Sequence, residues 1–208
     1  VPPVWHDEGL YLGMLDNGLI RLDPSTGQVI WRNTLDQHSP KGAVVAPPLS
    51  TGSILENGFY LPGNSKVPML VDSDGRLTSM DISSNHEWSA PAVCSPSCLF
   101  LGNRGGLLVC VDRNQKPCWQ YDLDFSYTVA PLLHADKLFV AGFSGQLSCL
   151  QATTGQLIWE KDLGASVCAN PTLAFNTLLV PLFTGSVAAL DIHQGRELWR
   201  HQCRGASG

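Results

Sequence analysis

A set of landmarks recurs every 40 residues in the second half of this chain: Gly145 returns as Gly185, Gly155 as Gly195 and Trp159 as Trp199. The unit that carries them, Lys137 to Leu163, reads KLFVAGFSGQLSCLQATTGQLIWEKDL. It holds two alternating apolar runs that meet at Gly145, a Thr154-Gly155 turn, and a short strand through Trp159. Alternation with a period of two marks a half-buried strand, and a fixed long period marks an array of like units.

Reading outward from this unit locates five copies, with approximate bounds 1–40, 41–88, 89–127, 128–167 and 168–208. The first has a hairpin signal at Asn17-Gly18, a turn at Thr26-Gly27 and a closing Trp31. The second is degenerate: Asp72-Ser73-Asp74-Gly75 takes the turn position and Ser79 the place of the tryptophan, so that Trp88 falls in the linker to the third copy. The third runs through Gly106 to Trp119, the fourth to Trp159 and the fifth to Trp199. Helical periodicity is absent. Each copy supplies four short strands whose two apolar faces cannot be buried alone, and packing such sheets face to face around an axis buries them. The expected fold is all-β, a β-propeller of four-stranded antiparallel blades. Trp31, Trp119, Trp159 and Trp199 would fill the joints between blades, with small residues two before the turn (Cys110, Cys149, Ala189) making room. Gly18, Gly27, Gly106, Gly145, Gly155, Gly185 and Gly195 would make the tight turns.

Composition excludes some functions. A formal charge of -5 leaves no basic excess to neutralise phosphates, so nucleic acid is not an expected partner. No apolar run approaches the roughly 20 residues that span a bilayer. The seven cysteines include no C-x-x-C. They read as small buried hydrophobes, or, for Cys94 and Cys98, as a hairpin disulfide that would indicate an oxidising compartment.

The pattern G-x-x-x-x-L-D-x-x-T-G-x-x-x-W, carried at Gly18 to Trp31 with one deletion and at Gly185 to Trp199 with Gln194 for Thr, resembles the PQQ-like repeat of quinoprotein alcohol dehydrogenase-type propellers. The resemblance implies one of several functions. Some members are dehydrogenases using pyrroloquinoline quinone and calcium. Others bind no cofactor: outer-membrane assembly lipoproteins, receptor-kinase sensor domains, and the accessory propeller of an acyl-CoA-synthetase-like adenylating enzyme. It implies a periplasmic setting, against a cytoplasmic one if every cysteine is reduced. Such propellers usually have roughly seven or eight blades, so five copies suggest a fragment, a small propeller or part of an oligomer.

The quinone enzymes that this chain resembles use adjacent cysteines, a tryptophan and a carboxylate-held calcium. No Cys-Cys pair is present, and Asp72 to Gly75 is only a fragment of a calcium loop. No cofactor or metal is therefore expected, and no catalytic set is complete. The expected function is a non-catalytic scaffold that binds protein partners or a ligand. In a propeller the inter-blade linkers and the hairpins between second and third strands share one face. Those segments contain His38, Lys41, Lys66, His86, Trp88, Arg104, Phe125, Tyr127, Phe143 and Phe183, a mixture of aromatic anchors and charges suited to a protein interface. Phe143 and Phe183, being equivalent positions, have packing against adjacent blades as their other reading.

Overall fold

Five antiparallel sheets follow one another along the chain, each made from four consecutive strands. The computed structural model describes residues 4–6, 8–13, 18–34, 54–55, 58–61, 66–88, 90–126 and 129–203. Blade one contains β1 (Val4–His6), β2 (Gly9–Gly13), β3 (Gly18–Leu22) and β4 (Val29–Thr34); blade two contains β5 (Ile54–Leu55), β6 (Gly58–Leu61), β7 (Met69–Val71) and β8 (Leu77–Ser79). Blade three contains β9 (Val93–Cys94), β10 (Cys98–Gly102), β11 (Leu107–Asp112) and β12 (Pro117–Asp122). Blade four contains β13 (Leu132–His134), β14 (Lys137–Ala141), β15 (Gln146–Gln151) and β16 (Leu157–Asp162). Blade five contains β17 (Thr172–Ala174), β18 (Thr177–Leu182), β19 (Ser186–Asp191) and β20 (Glu197–Gln202). The propeller blades expected from the repeat are thus present in sequence order, with no helix among the described residues.

The core lies between blades. One apolar cluster joins Phe139, Leu147 and Trp159 of blade four to Leu178, Val180 and Leu190 of blade five. Further clusters join blades three and four, two and three, and one and two. Within a blade the closing strand is tied to its neighbour with a repeated irregularity. The ladder slips by one residue at Arg21/Leu22, Cys110/Val111, Cys149/Leu150 and Ala189/Leu190. That bulge re-aims the closing strand so that its tryptophan stands opposite Arg21, Cys110, Cys149 or Ala189.

The tryptophans reach into the following blade. Trp31 Nε1 donates to the Ser73 carbonyl at 2.8 Å, Trp119 to Ala152 at 3.0 Å and Trp159 to Ile192 at 3.2 Å. Each acceptor lies in the turn before the next blade's closing strand. The indole faces the turn glycine: a β-carbon at Gly75, Gly155 or Gly195 would come within 2.9, 2.6 or 2.5 Å of the ring. These glycines also hold φ of +82°, +73° and +66°. Two independent demands, left-handed backbone and room for a ring, therefore fall on one residue. The turns are held by an aspartate at their start: Asp23, Asp72, Asp112 and Asp191 each accept backbone amides with Oδ1.

Three expectations need correction. In blade two Leu70 stands opposite Thr78, and Ser79 opposite Met69, with no bulge. Ser79 is therefore one residue past the tryptophan-equivalent position. Trp88 is not an exposed linker residue but is 1% accessible, in the cluster between blades two and three. Its Nε1 donates to the Lys66 carbonyl at 3.0 Å, and the Trp88 carbonyl accepts the Tyr60 hydroxyl at 2.8 Å. Blade two has no closing tryptophan, and the linker supplies the missing ring to that joint. Trp199, expected in a joint, is half exposed, and the equivalent socket at Gly27 has no neighbouring atom within 4 Å among the described residues.

Candidate functional site

Linkers and second-hairpin turns share one face, as a repeated backbone bond makes clear. The amide of Arg104 donates to Glu87, that of Phe143 to Ser126 and that of Phe183 to Ser166, at 2.9, 3.2 and 2.8 Å. The residue separation is the same in all three, so Arg104, Phe143 and Phe183 occupy equivalent hairpin positions. The same register makes Trp88 and Val167 equivalent linker positions. Val167 is buried, like Trp88. Tyr127 lies outside the described residues, as do His38 and Lys41.

Phe143 and Phe183 meet edge to face across blades four and five, with ring centroids 5.7 Å apart. Yet they remain 56% and 64% accessible. Packing against each other leaves most of both rings in water, an unusual state for large apolar groups presented side by side. Phe125 continues the stripe toward blade three but is half-buried, its ring lying over Gly142, where a β-carbon would meet it at 2.4 Å. It is a support for the hairpin more than a free anchor. His86 does the same over Gly105. Arg104 holds Glu87 at 3.7 Å, and its carbonyl accepts the Ser126 hydroxyl.

Beside Phe125 a cleft of about 110 Å³ opens between blades three and four. Asp122, Asp124, Glu160 and Asp162 line it with one cation, Lys161. Tyr121 at its wall has its phenol pKa raised, first by burial and then by Glu160 and Asp124. The face thus combines exposed phenyl rings with a locally negative recess.

The quinone and calcium chemistry implied by the resemblance does not fit these residues. Asp72 Oδ1 is committed to the amides of Asp74 and Arg76. The Ser73 carbonyl accepts from Trp31 and Arg21, so this turn is a blade joint rather than an ion cage. The Cys94–Cys98 pairing also fails. Cys94 stands opposite Leu99, so alternation puts Cys98 on the other face of the sheet, and both are free thiols.

Sequence reading missed one grouping. The sulfurs of Cys98, Cys110 and Cys118 lie within 4.8 Å of one another. They come from three strands, so no short spacing motif announces them. The signal that could have found them was the repeat register applied to cysteine positions.

Among known proteins, residues 104–208 match the PQQ_2 family, described as outer membrane protein assembly factor BamB. No curated protein matches the chain. Among solved structures, BamB from Moraxella catarrhalis superposes with a TM-score of 0.77 at 18% identity, over 99% of this chain and 64% of that one. The computationally designed Ika8 protein gives 0.77 at 14% identity, over 97% and 61%. KlHsv2 with loop 6CD replaced by a Gly-Ser linker gives 0.71 at 12% identity, over 97% and 66%. The chain therefore spans less than two thirds of the length of each of these structures, and identities this low speak for the fold alone.

Proposed function

The chain belongs to the family of outer membrane protein assembly factor BamB, and from that premise we propose that its PQQ-like propeller scaffold binds protein partners through the linker face of blades three to five. The observation that carries this reading is the exposed Phe143–Phe183 pair. Consecutive hairpins hold it, and each is anchored to its linker by a backbone hydrogen bond. Aromatic anchors on a rigid frame cost little ordering entropy when covered, which is what an interface hot spot requires. The neighbouring cleft, with four carboxylates and one lysine, suits a partner segment carrying an apolar residue for the rings and a Lys or Arg for the recess.

Site-specific photo-crosslinking tests the face. A crosslinker at position 143 or 183 should trap a discrete protein partner, while one at Phe175, 96% exposed in the β17–β18 hairpin on the opposite face, should not. Equal trapping at both faces, or none at 143 and 183, overturns the assignment.

A further inference from the structure

Blade three differs from its neighbours at three positions that converge. Cys98 pairs with Asp112, so Cys110, two residues earlier, is its diagonal neighbour on the same sheet face. Cys110 pairs with Trp119, and the bulge after it leaves Cys118 as the extra residue beside Cys110. In blades four and five the position of Cys98 is Lys137 or Thr177, paired with Gln151 or Asp191. The bulge position of Cys118 is Ile158 or Leu198 there. Cys149 in blade four has neither companion. Only in blade three, among the described residues, do all three positions carry sulfur within mutual reach.

One disulfide would join two of the three sulfurs and leave the third unaccounted for, and all three are free thiols. Diagonal neighbours in an antiparallel pair are about 7–8 Å apart at Cα, beyond the span of an S–S bond for Cys98 with Cys110. A metal ion accounts for all three. Zinc–sulfur bonds of about 2.3 Å place tetrahedral ligand sulfurs about 3.8 Å apart. Three sulfurs already within 4.8 Å of one another reach that spacing by small side-chain rotations. Phe100 and Trp119, with ring centroids 5.9 Å apart, belong to the apolar cluster that encloses Cys110, and Cys118 is exposed. The arrangement has a closed inner side and an open outer one.

We infer that Cys98, Cys110 and Cys118 form a binding site for a thiophilic d10 cation, represented by Zn²⁺, with the fourth coordination position open to solvent beside Cys118. All-sulfur ligation selects soft ions over calcium or magnesium. Loading exchanges three thiol protons, released to solvent, for one divalent ion, and leaves the site with a net charge of -1 (about, if all three bind as thiolates). Burial raises the Cys110 and Cys118 thiols above their ordinary range.

The test uses the full chain, reduced, with Cd²⁺ alone as the spectroscopic probe. The expected result is a thiolate-to-cadmium absorption that saturates at about one ion per chain and is displaced by Zn²⁺. Cys98 and Cys118 should become protected from maleimide in the loaded protein, as peptide mapping would show, whereas Cys110, being buried, is shielded in both forms. Cys118→Ser should weaken uptake at least about tenfold. Being exposed, that change should leave the metal-free thermal midpoint unchanged. Cys168→Ser, also exposed but outside the cluster, should leave uptake unaltered. Cadmium uptake that Cys118→Ser leaves intact overturns the proposal, as does a reduced chain that takes up no cadmium.

Discussion

The indole of Trp159 lies so close to Gly195 that a β-carbon on the glycine would fall 2.5 Å from the ring. Gly195→Ala therefore incurs two costs. Left-handed backbone strain contributes about 1–2 kcal/mol, and displacing the ring from the joint contributes about 1–3 kcal/mol. Gly27→Ala shares the strain, at φ +70°, but meets no atom. Denaturant titration should show the Gly195 variant less stable by about 2–5 kcal/mol and the Gly27 variant by about 1–2 kcal/mol. Equal losses would mean that the ring contact is not what the glycine serves.

Trp88 offers a second contrast. Truncation to alanine in the joint between blades two and three should cost about 3–5 kcal/mol. Trp88→Phe keeps a ring there but loses the bond to the Lys66 carbonyl and leaves a smaller void, for about 2 kcal/mol. Stability that is insensitive to Trp88→Ala would remove this residue from the core.

The exposed phenyl pair should behave in the opposite way. Phe143→Ala and Phe183→Ala together should change unfolding free energy by only about 1 kcal/mol, the edge-to-face term, and should abolish capture of the partner in a pull-down. A large loss of stability with partner capture intact would make the pair structural.

Acid sensitivity has a local source in the turns. Hydrogen bonds from the Ser25 hydroxyl and then from the amides of Thr26 and Ser25 hold the Asp23 carboxyl at about 2, below its ordinary 3.8. Asp191 is lowered in the same direction, chiefly by the Gln194 amide. A depressed folded-state pKa means that the stabilisation is present above the unfolded value and is lost as pH falls through the folded one. The thermal midpoint should therefore drop between about pH 4 and pH 2, and Asp23→Asn should flatten part of that slope. An unchanged slope would place the acid sensitivity elsewhere.

The period in the sequence carried the strand order, the hairpins and the tryptophan–glycine spacing, because those depend on local alternation and turn chemistry. Assigning Asp72 to Gly75 as the second turn located β8, but the register shifted by one residue, since whether a bulge forms is set by what stands opposite. Trp88 was misplaced for a related reason. Linker length says where a residue sits along the chain, whereas burial depended on the vacancy left by blade two's missing tryptophan. Of the face residues, Phe143 and Phe183 were readable as an equivalent pair. Their shared exposure, and the support given by Phe125 and His86 to glycines, required three dimensions. The three thiols of blade three were hidden because their sequence spacings follow the strand lengths, not any ligand motif.

Joints of the Trp159–Gly195 kind link each blade only to its successor, with Trp88 standing in at the second. Such a molecule behaves as a linear chain of coupled units, in which every interior blade draws on two interfaces and an outer blade on one. Among the described residues the Trp199 ring is half exposed and the Gly27 turn meets no ring. Amide exchange should accordingly be slower in a blade whose tryptophan and turn glycine are both engaged, as Trp159 and Gly155 are in blade four, than in one with an unmatched tryptophan or glycine. Covering Trp199 would then slow exchange in the whole of blade five, giving one exposed ring control over the motions of a sheet.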